Sequence, residues 1–278
     1  MTDIDAEFFI PTLNSDRTLE TLLIQIKKQS DRITIFDGFS VDRTLDIAQK
    51  YGCKIIKTST NIGAVRTMMI RTATSKYIAM IDADMQIPRN WLVKCHEWLV
   101  RLQEKDKTAV AVYGNDVPKY GKDREFYISA EVYKRLPLKN MKRLDTCNVF
   151  IERHAVRNFN CDAPAMEDYL LGKFIEHNGY SHYEIPVFAV HDNYETEEKI
   201  QRSLYLETKT RQIYCGLTFP MLFLALLHSS VIRAKPGFKI WILRRYLHCC
   251  VYYFQSVDSS DIRFYGRTAI DLNRRIRM

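Results

Sequence analysis

Two rhythms of apolar and polar positions alternate through the first 115 residues. Glu7–Ile10 is a short apolar run ended by Pro11. From Arg17 to Lys28 the apolar positions Leu19, Leu22, Leu23 and Ile26 recur at helical spacing. Ile33–Phe36 is β-branched and aromatic and stops at Asp37-Gly38. Thr44–Tyr51 predicts a short helix closed by Gly52, and Lys54–Lys57 a third strand. Helix is expected over Gly63–Ala73 and Trp91–Leu102, strand over Tyr77–Ile81 and Ala109–Tyr113. Strands alternating with helices of this size predict βαβ units and an α/β fold with a mostly parallel, doubly wound sheet. Residues 114–145 break the rhythm, with a helix expected near Glu125–Arg135. Thr146–Ile151 predicts a strand, with Asn148 as a candidate functional residue in it. An apolar helical run (Tyr169, Leu170, Leu171, Phe174, Ile175) follows Glu167-Asp168.

The last third has another texture. Residues 194–212 read as a charged helical stretch. Ile213–Ile232 then holds twenty residues without Asp, Glu, Lys or Arg. That is the length of a membrane span, but Gly216, Pro220, His228 and Ser229-Ser230 interrupt it. Phe238–Gln255 mixes Trp241, Leu243, Leu247, Val251 and Phe254 with Arg244, Arg245 and three tyrosines, the pattern of a helix lying in the headgroup layer. The net charge of +8 sits almost wholly here: residues 233–278 carry ten Lys/Arg against three Asp/Glu. The expected organisation is a domain over 1–192 and a helical, basic and apolar region over 193–278 that lies on an anionic membrane surface. A true span, a core helix or an oligomer interface are the other uses of the apolar run. Nucleic acid is disfavoured, because the basic residues are interleaved with apolar runs and no base-reading module is visible.

Composition adds less. A chain with 46% hydrophobic and 27% charged residues is globular rather than disordered. Seven cysteines, none in a C-x-x-C pair, read as free thiols in a reducing compartment. The acidic start has no basic segment before an apolar stretch, so a cytoplasmic protein, peripheral or monotopic at the membrane, is expected.

In open α/β sheets ligands bind beyond the carboxyl ends of the strands. Those ends carry Pro11-Thr12-Leu13-Asn14, Asp37-Gly38 and Asp82-Ala83-Asp84. No G-x-G-x-x-G follows the first strand and no G-x-x-x-x-G-K-[ST] occurs, which disfavours nicotinamide, flavin and P-loop chemistry. Asp82 and Asp84 lie two apart and point the same way if extended, so a hard divalent cation between them relieves their repulsion. The plainer use is one Asp capping a turn and the other in solvent.

These motifs, taken together, resemble the family 2 glycosyltransferases of GT-A fold. Phe9-Ile10-Pro11-Thr12-Leu13-Asn14 resembles that family's first strand and nucleotide loop. Asp37-Gly38-Phe39-Ser40-Val41-Asp42-Arg43-Thr44 resembles its D-D-G-S-x-D-x-T segment, with Phe36 replacing the first Asp and Phe39 inserted. Asn61-Ile62-Gly63-Ala64-Val65-Arg66 resembles N-x-G-x-x-x-A-R, one residue short, and Asp82-Ala83-Asp84 resembles D-x-D. Glu167-Asp168-Tyr169-Leu170 resembles the acceptor-side E-D-x-x-L, followed by Asn178-Gly179-Tyr180. Val190-His191 resembles the strand-end histidine near the close of the fold.

The resemblance implies an inverting, metal-dependent transfer of a sugar from a nucleoside diphosphate sugar of UDP or GDP type. It implies Mg²⁺ or Mn²⁺ at Asp84, with His191 and Asp82 as further ligands, Asp82 otherwise contacting the ribose. Pro11, Thr12, Asn14, Asp37, Asn61, Gly63, Arg66 and Asp82 would form the nucleotide-sugar site. Asp168 would be the general base, with Glu167 as the alternate base or an acceptor-binding residue. The expected acceptor is lipid-linked or a saccharide. A polyprenyl phosphate acceptor, which needs no base, is the alternative, as is a catalytically inactive scaffold. A sugar nucleotidyltransferase would need a Gly-rich N-terminal loop that is lacking. The Q-x-x-R-W motif of processive synthases is absent, so single transfers are expected.

Overall fold

β1 (Ala6–Thr12) is buried at five of its seven positions and runs inside a sheet in a computed structural model of the chain. The structure describes residues 4–119, 138–139, 144–192, 204–210, 247, 249 and 251–254. β2 (Ile33–Asp37) lies beside β1 in parallel, followed outward by β3 (Lys54–Lys57), and β4 (Tyr77–Ile81) flanks β1 on the other side. The helices between them are α1 (Leu19–Lys27), α2 (Thr44–Lys50) and α3 (Ile62–Thr72). This is the predicted βαβ rhythm, with boundaries within a few residues.

Alternation explains the core. Phe8, Ile10, Ile33, Ile35, Tyr77, Ala79 and Ile81 point to one face, where Leu19, Leu22, Leu23 and Ile26 of α1 cover them. Trp91, Leu92, Cys95, Leu99 and Leu102 of α4 (Trp91–Lys105) join that cluster. Each such side chain contributes about 1.5–3 kcal/mol by leaving water. Pro11 is tolerated near the end of an inner strand because the β1–β4 pairing stops at Phe9, so its missing N–H costs no bond on that side.

Beyond β4 the sheet becomes mixed. β5 (Met85–Gln86), β6 (Ala109–Pro118), β7 (Leu138–Lys139), β8 (Asn148–Glu152) and β9 (Ser181–His191) complete it among the described residues. The order is β3-β2-β1-β4-β8-β6-β9-β5, with β7 on β9. β8 is antiparallel to both β4 and β6, while β9 is parallel to β6. Helices α5 (Arg153–Val156) and α6 (Glu167–His177) separate β8 from β9.

β6 runs on to Pro118, five residues past the strand read from the sequence, because β9 gives it a partner throughout. The register jumps from Tyr113↔Glu184 to Asn115↔Phe188, an irregularity that absorbs Pro186. Gly114 is required there: a Cβ would overlap both Asn148 Oδ1 and Val187 O. Asn148, a candidate for the acceptor side, is fully buried instead, and its Oδ1 accepts the Gly114 N–H at 2.8 Å.

The chain divides into two compact units. One comprises residues 1–60, 64–161 and 168–194, the other 61–63, 162–167 and 195–278. In the second unit, residues 204–210 are helical and 251–254 form a helical turn, with Tyr205 against Tyr252 at 5.6 Å and Lys209 Nζ donating to Tyr253 O at 3.3 Å. The expected helix near 125–135, the apolar run 213–232 and, in the expected amphipathic stretch, Trp241, Arg244 and Arg245 lie outside the described residues. No helix among the described residues is long and apolar enough to cross a membrane. Among the described residues, Cys53, Cys95 and Cys147 are free thiols.

Candidate active site

The end of β4 presents the two aspartates. Asp82 donates its N–H to Cys147 O at 3.0 Å, extending the β4–β8 ladder by one bond. Its carboxylate then accepts from Arg66 Nη2 at 2.5 Å. Arg66, on α3, is only 1% exposed, so this helix cation is not a solvated one. The chain turns at Asp84, and the two-residue β5 pairs Met85 with His191. Asp192 N–H donates to Asp84 O at 2.8 Å. A strand of two residues thus seats Asp84 beside a histidine 107 positions on.

The side chains follow the backbone. His191 Nε2 lies 3.4 Å from Asp84 Oδ2, and Nδ1 lies 3.3 Å from Asp116 Oδ2. Burial disfavours the charged ring, but the hydrogen bonds and charges of Asp116 and Asp84 outweigh it and raise the His191 pKa to about 10. Burial likewise opposes the Asp116 charge, and His191 overcomes it, holding that carboxyl below its usual range. Asp145 adjoins this pair and accepts from Cys147 Sγ at 2.6 Å. Burial and then the Asp145 charge push the Cys147 thiol well up. Asp192, 5% exposed, pairs with Arg17 at 2.8 Å and Lys119 at 2.9 Å.

This donor set fits a hard divalent cation. The Asp84 carboxylate and the His191 ring nitrogen converge, and such ions take one or two protein carboxylates with substrate phosphates completing the shell. Asp82 is the weaker ligand candidate, since Arg66 already engages its carboxylate.

A second group forms at the ends of β1 and β2. Asp37 is fully buried, accepting from Thr12 Oγ1 at 3.1 Å, Ser40 Oγ at 2.6 Å and Ser40 N–H at 2.9 Å. Asn14 Oδ1 accepts the Val41 N–H and the Asn14 N–H donates to Ser40 Oγ, both at 2.9 Å. Thr12, Asn14 and Asp37 therefore brace two loops against each other, and their described contacts are internal. The apolar residues Leu13, Phe39 and Val41 of these loops are all exposed. The inserted Phe39 is accommodated at φ +62°, opposite Asn14 at φ +50°. Both angles are uncommon outside glycine and Asn/Asp, and for a bulky residue they mark a held conformation.

Asn61 and Gly63 serve a different purpose from the one the motif implies. Asn61 Nδ2 donates to Asp162 O at 2.5 Å and Gly63 N–H to Ala163 O at 3.0 Å. They clasp the segment that leads into α6. Asp168 is buried in the first turn of that helix, with Oδ1 accepting the Tyr169 N–H at 2.6 Å, while Glu167 at its start is half-buried. The structure thus joins Asp82 to Arg66 and Asp84 to His191. Asp116, Asp145 and Asp192 carry no motif in the sequence. Asp116 lies in a stretch, Gly114-Asn115-Asp116, that reads as a strand breaker, and Asp192 had only its place after His191 to mark it.

Comparison with known proteins bears on the family and the fold. The model of the family described as Glycosyl transferase family 2 matches residues 7–163, more than half of the chain. Glucosyl-3-phosphoglycerate synthase from Mycobacterium tuberculosis, in complex with Mn²⁺ and UDP-glucose, superimposes with a TM-score of 0.56 at 15% identity, over 78% of this chain and 80% of that one. The same enzyme with Mg²⁺ and UDP gives 0.56 at 15%, over 78% and 81%. TarS from S. aureus gives 0.50 at 14%, over 94% and 78%. At such identities the likeness establishes the fold. The comparison with curated proteins returns no match.

Proposed function

Since the chain belongs to glycosyl transferase family 2, we propose that it moves a sugar from a UDP-type donor to a hydroxyl acceptor, with inversion, using Mn²⁺ or Mg²⁺ held by Asp84 and His191. The observation that carries this reading is the convergence of Asp84 and His191 within 3.4 Å at the carboxyl end of β4. The solved structures of like fold that hold Mn²⁺ with UDP-glucose, and Mg²⁺ with UDP, support the donor and cation.

When bound, the cation neutralises charge that develops on the departing diphosphate. The protein supplies the rest. Asp37, Thr12, Asn14 and Ser40 hold the two loops whose apolar residues Leu13 and Phe39 offer a face to the base. Pro11 ends the strand that leads into them. Arg66 neutralises and orients Asp82 at the ribose side, and Asn61 and Gly63 hold the approach to α6. Asp168 takes the acceptor hydroxyl proton as the hydroxyl attacks the anomeric carbon opposite the leaving group. Glu167 binds the acceptor.

The acceptor is lipid-linked or a saccharide, reached at an anionic membrane surface. Leu247, Val251 and Phe254, spaced i, i+4, i+7, support this: all three are exposed, in a stretch of the sequence with net positive charge.

The reading is tested by UDP release from UDP-sugars with Mn²⁺ and with a chelator. Release with Mn²⁺ that falls to background in chelator is expected. Equal release in both, or none from any donor, would contradict it.

A further inference from the structure

Two strands converge on the His191 ring from opposite sides. β5 brings Asp84, through the pairing of Met85 with His191. β6 brings Asp116, through the pairing of Pro118 with His191 and of Asp116 with Ala189. Backbone bonds fix both approaches: Asp192 N–H to Asp84 O and Lys119 N–H to His191 O, each at 2.8 Å. The two carboxylates therefore take one ring nitrogen each, Asp116 at Nδ1 (3.3 Å) and Asp84 at Nε2 (3.4 Å).

An imidazole has one lone pair to give a metal, and the hydrogen bond at its other nitrogen decides which. A carboxylate on that other nitrogen fixes the tautomer, stops the ring from turning and raises its basicity. We propose that Asp116 is a positioning residue that holds the Nδ1–H of His191, so that when the cation of the proposed reaction displaces the Nε2 proton, the freed lone pair lies on the Asp84 side. Asp116 acts through the ring. The proposal rests on the metal-dependent glycosyl transfer proposed above.

Mn²⁺ binding to the full-length protein in the presence of UDP, followed by electron paramagnetic resonance, tests it in wild type, Asp116→Asn and His191→Gln. Wild type is expected to bind Mn²⁺ with an electron spin echo modulation from a ring nitrogen, which His191→Gln abolishes. Asp116→Asn is expected to weaken Mn²⁺ binding by about 10–100-fold and to alter that modulation. A merely structural residue would lower the melting temperature and leave both unchanged. Asp116→Ser removes the same carboxylate should the Asn variant fail to fold. Unchanged affinity and modulation in a folded Asp116 variant would overturn the proposal while the proposed reaction stands. Mn²⁺ bound without any nitrogen modulation in wild type would overturn it too, by removing His191 from the coordination. No Mn²⁺ binding by wild type would contradict the glycosyl-transfer reading and this proposal with it.

Discussion

Asp82 and Asp84 are alike in the sequence and unlike in the structure. Asp82 faces Arg66, a cation only 1% exposed, while Asp84 faces His191. Removing one member of a buried pair leaves a charge away from water, so Asp82→Ala is expected to cost about 2–3 kcal/mol, the lower end for a half-exposed carboxylate. Asp84→Ala is expected to leave the urea midpoint close to wild type and to abolish metal-dependent nucleotide binding. Urea titration and UDP calorimetry check the pair, and equal midpoints for the two variants would contradict it. Asp168→Asn keeps the shape of the side chain and removes its basicity, so turnover is expected to fall about 10²–10⁴-fold with donor binding retained. A turnover within a few-fold of wild type would reassign the base to Glu167 or the acceptor to a phosphate. Motif spacing located Asp82, Asp84, Asp168 and His191 but could not say which partner each meets. The depth of Arg66 was not legible, because nothing in a helical repeat shows how deep the helix sits. Asp116 stayed hidden because its role depends on a strand pairing 75 residues away.

The first four strands were legible because each is a short run with an apolar centre feeding a parallel neighbour, and Ile33–Asp37 and Tyr77–Ile81 are buried almost without a break, as strands covered on both faces are. The later strands were less so. Gly114 and Pro186 lie at one of the two irregularities in the β6–β9 ladder, and β5 is too short to leave any periodicity. Asp106 shows how the elements are tied there. It ends α4, accepts from Thr108 Oγ1 at 2.6 Å and Tyr183 O–H at 2.7 Å, and pairs with Lys139 of β7 at 2.7 Å. Lys139 above all, with Thr108 and Tyr183, holds its carboxyl far below the usual range against a smaller burial effect. A depressed folded-state pKa contributes stability above the unfolded-state pKa of about 4 and loses it as pH falls from there. Asp106→Asn is therefore expected to cost about 1 kcal/mol near neutral pH, after allowance for solvent screening. The gap should narrow below about pH 4, and urea titration at both pH values checks it. A gap that does not change with pH would contradict it.

Charge is unevenly distributed along the sequence, and this is the basis of the membrane surface proposed for the carboxyl-terminal region. Residues 233–278 hold ten Lys/Arg against three Asp/Glu, and Leu247, Val251 and Phe254 of that stretch are exposed. Vesicles containing anionic lipid are expected to retain the full-length protein. Arg244→Gln with Arg245→Gln should weaken this by about 1 kcal/mol per charge, and high salt should release only part. Equal binding to neutral and anionic vesicles would contradict the electrostatic part. The account as a whole depends on the edge where Asp84 meets His191. Its most direct test is thermal unfolding of the full-length protein with UDP-, GDP- and dTDP-sugars, each with Mn²⁺ and with chelator. A donor at about 100 times its Kd adds about 2.7 kcal/mol, a rise of several degrees in Tm. The account predicts that rise for a UDP-sugar with Mn²⁺, and its loss in chelator and in Asp84→Ala. No rise with any nucleotide sugar, or an equal rise in chelator, would contradict it.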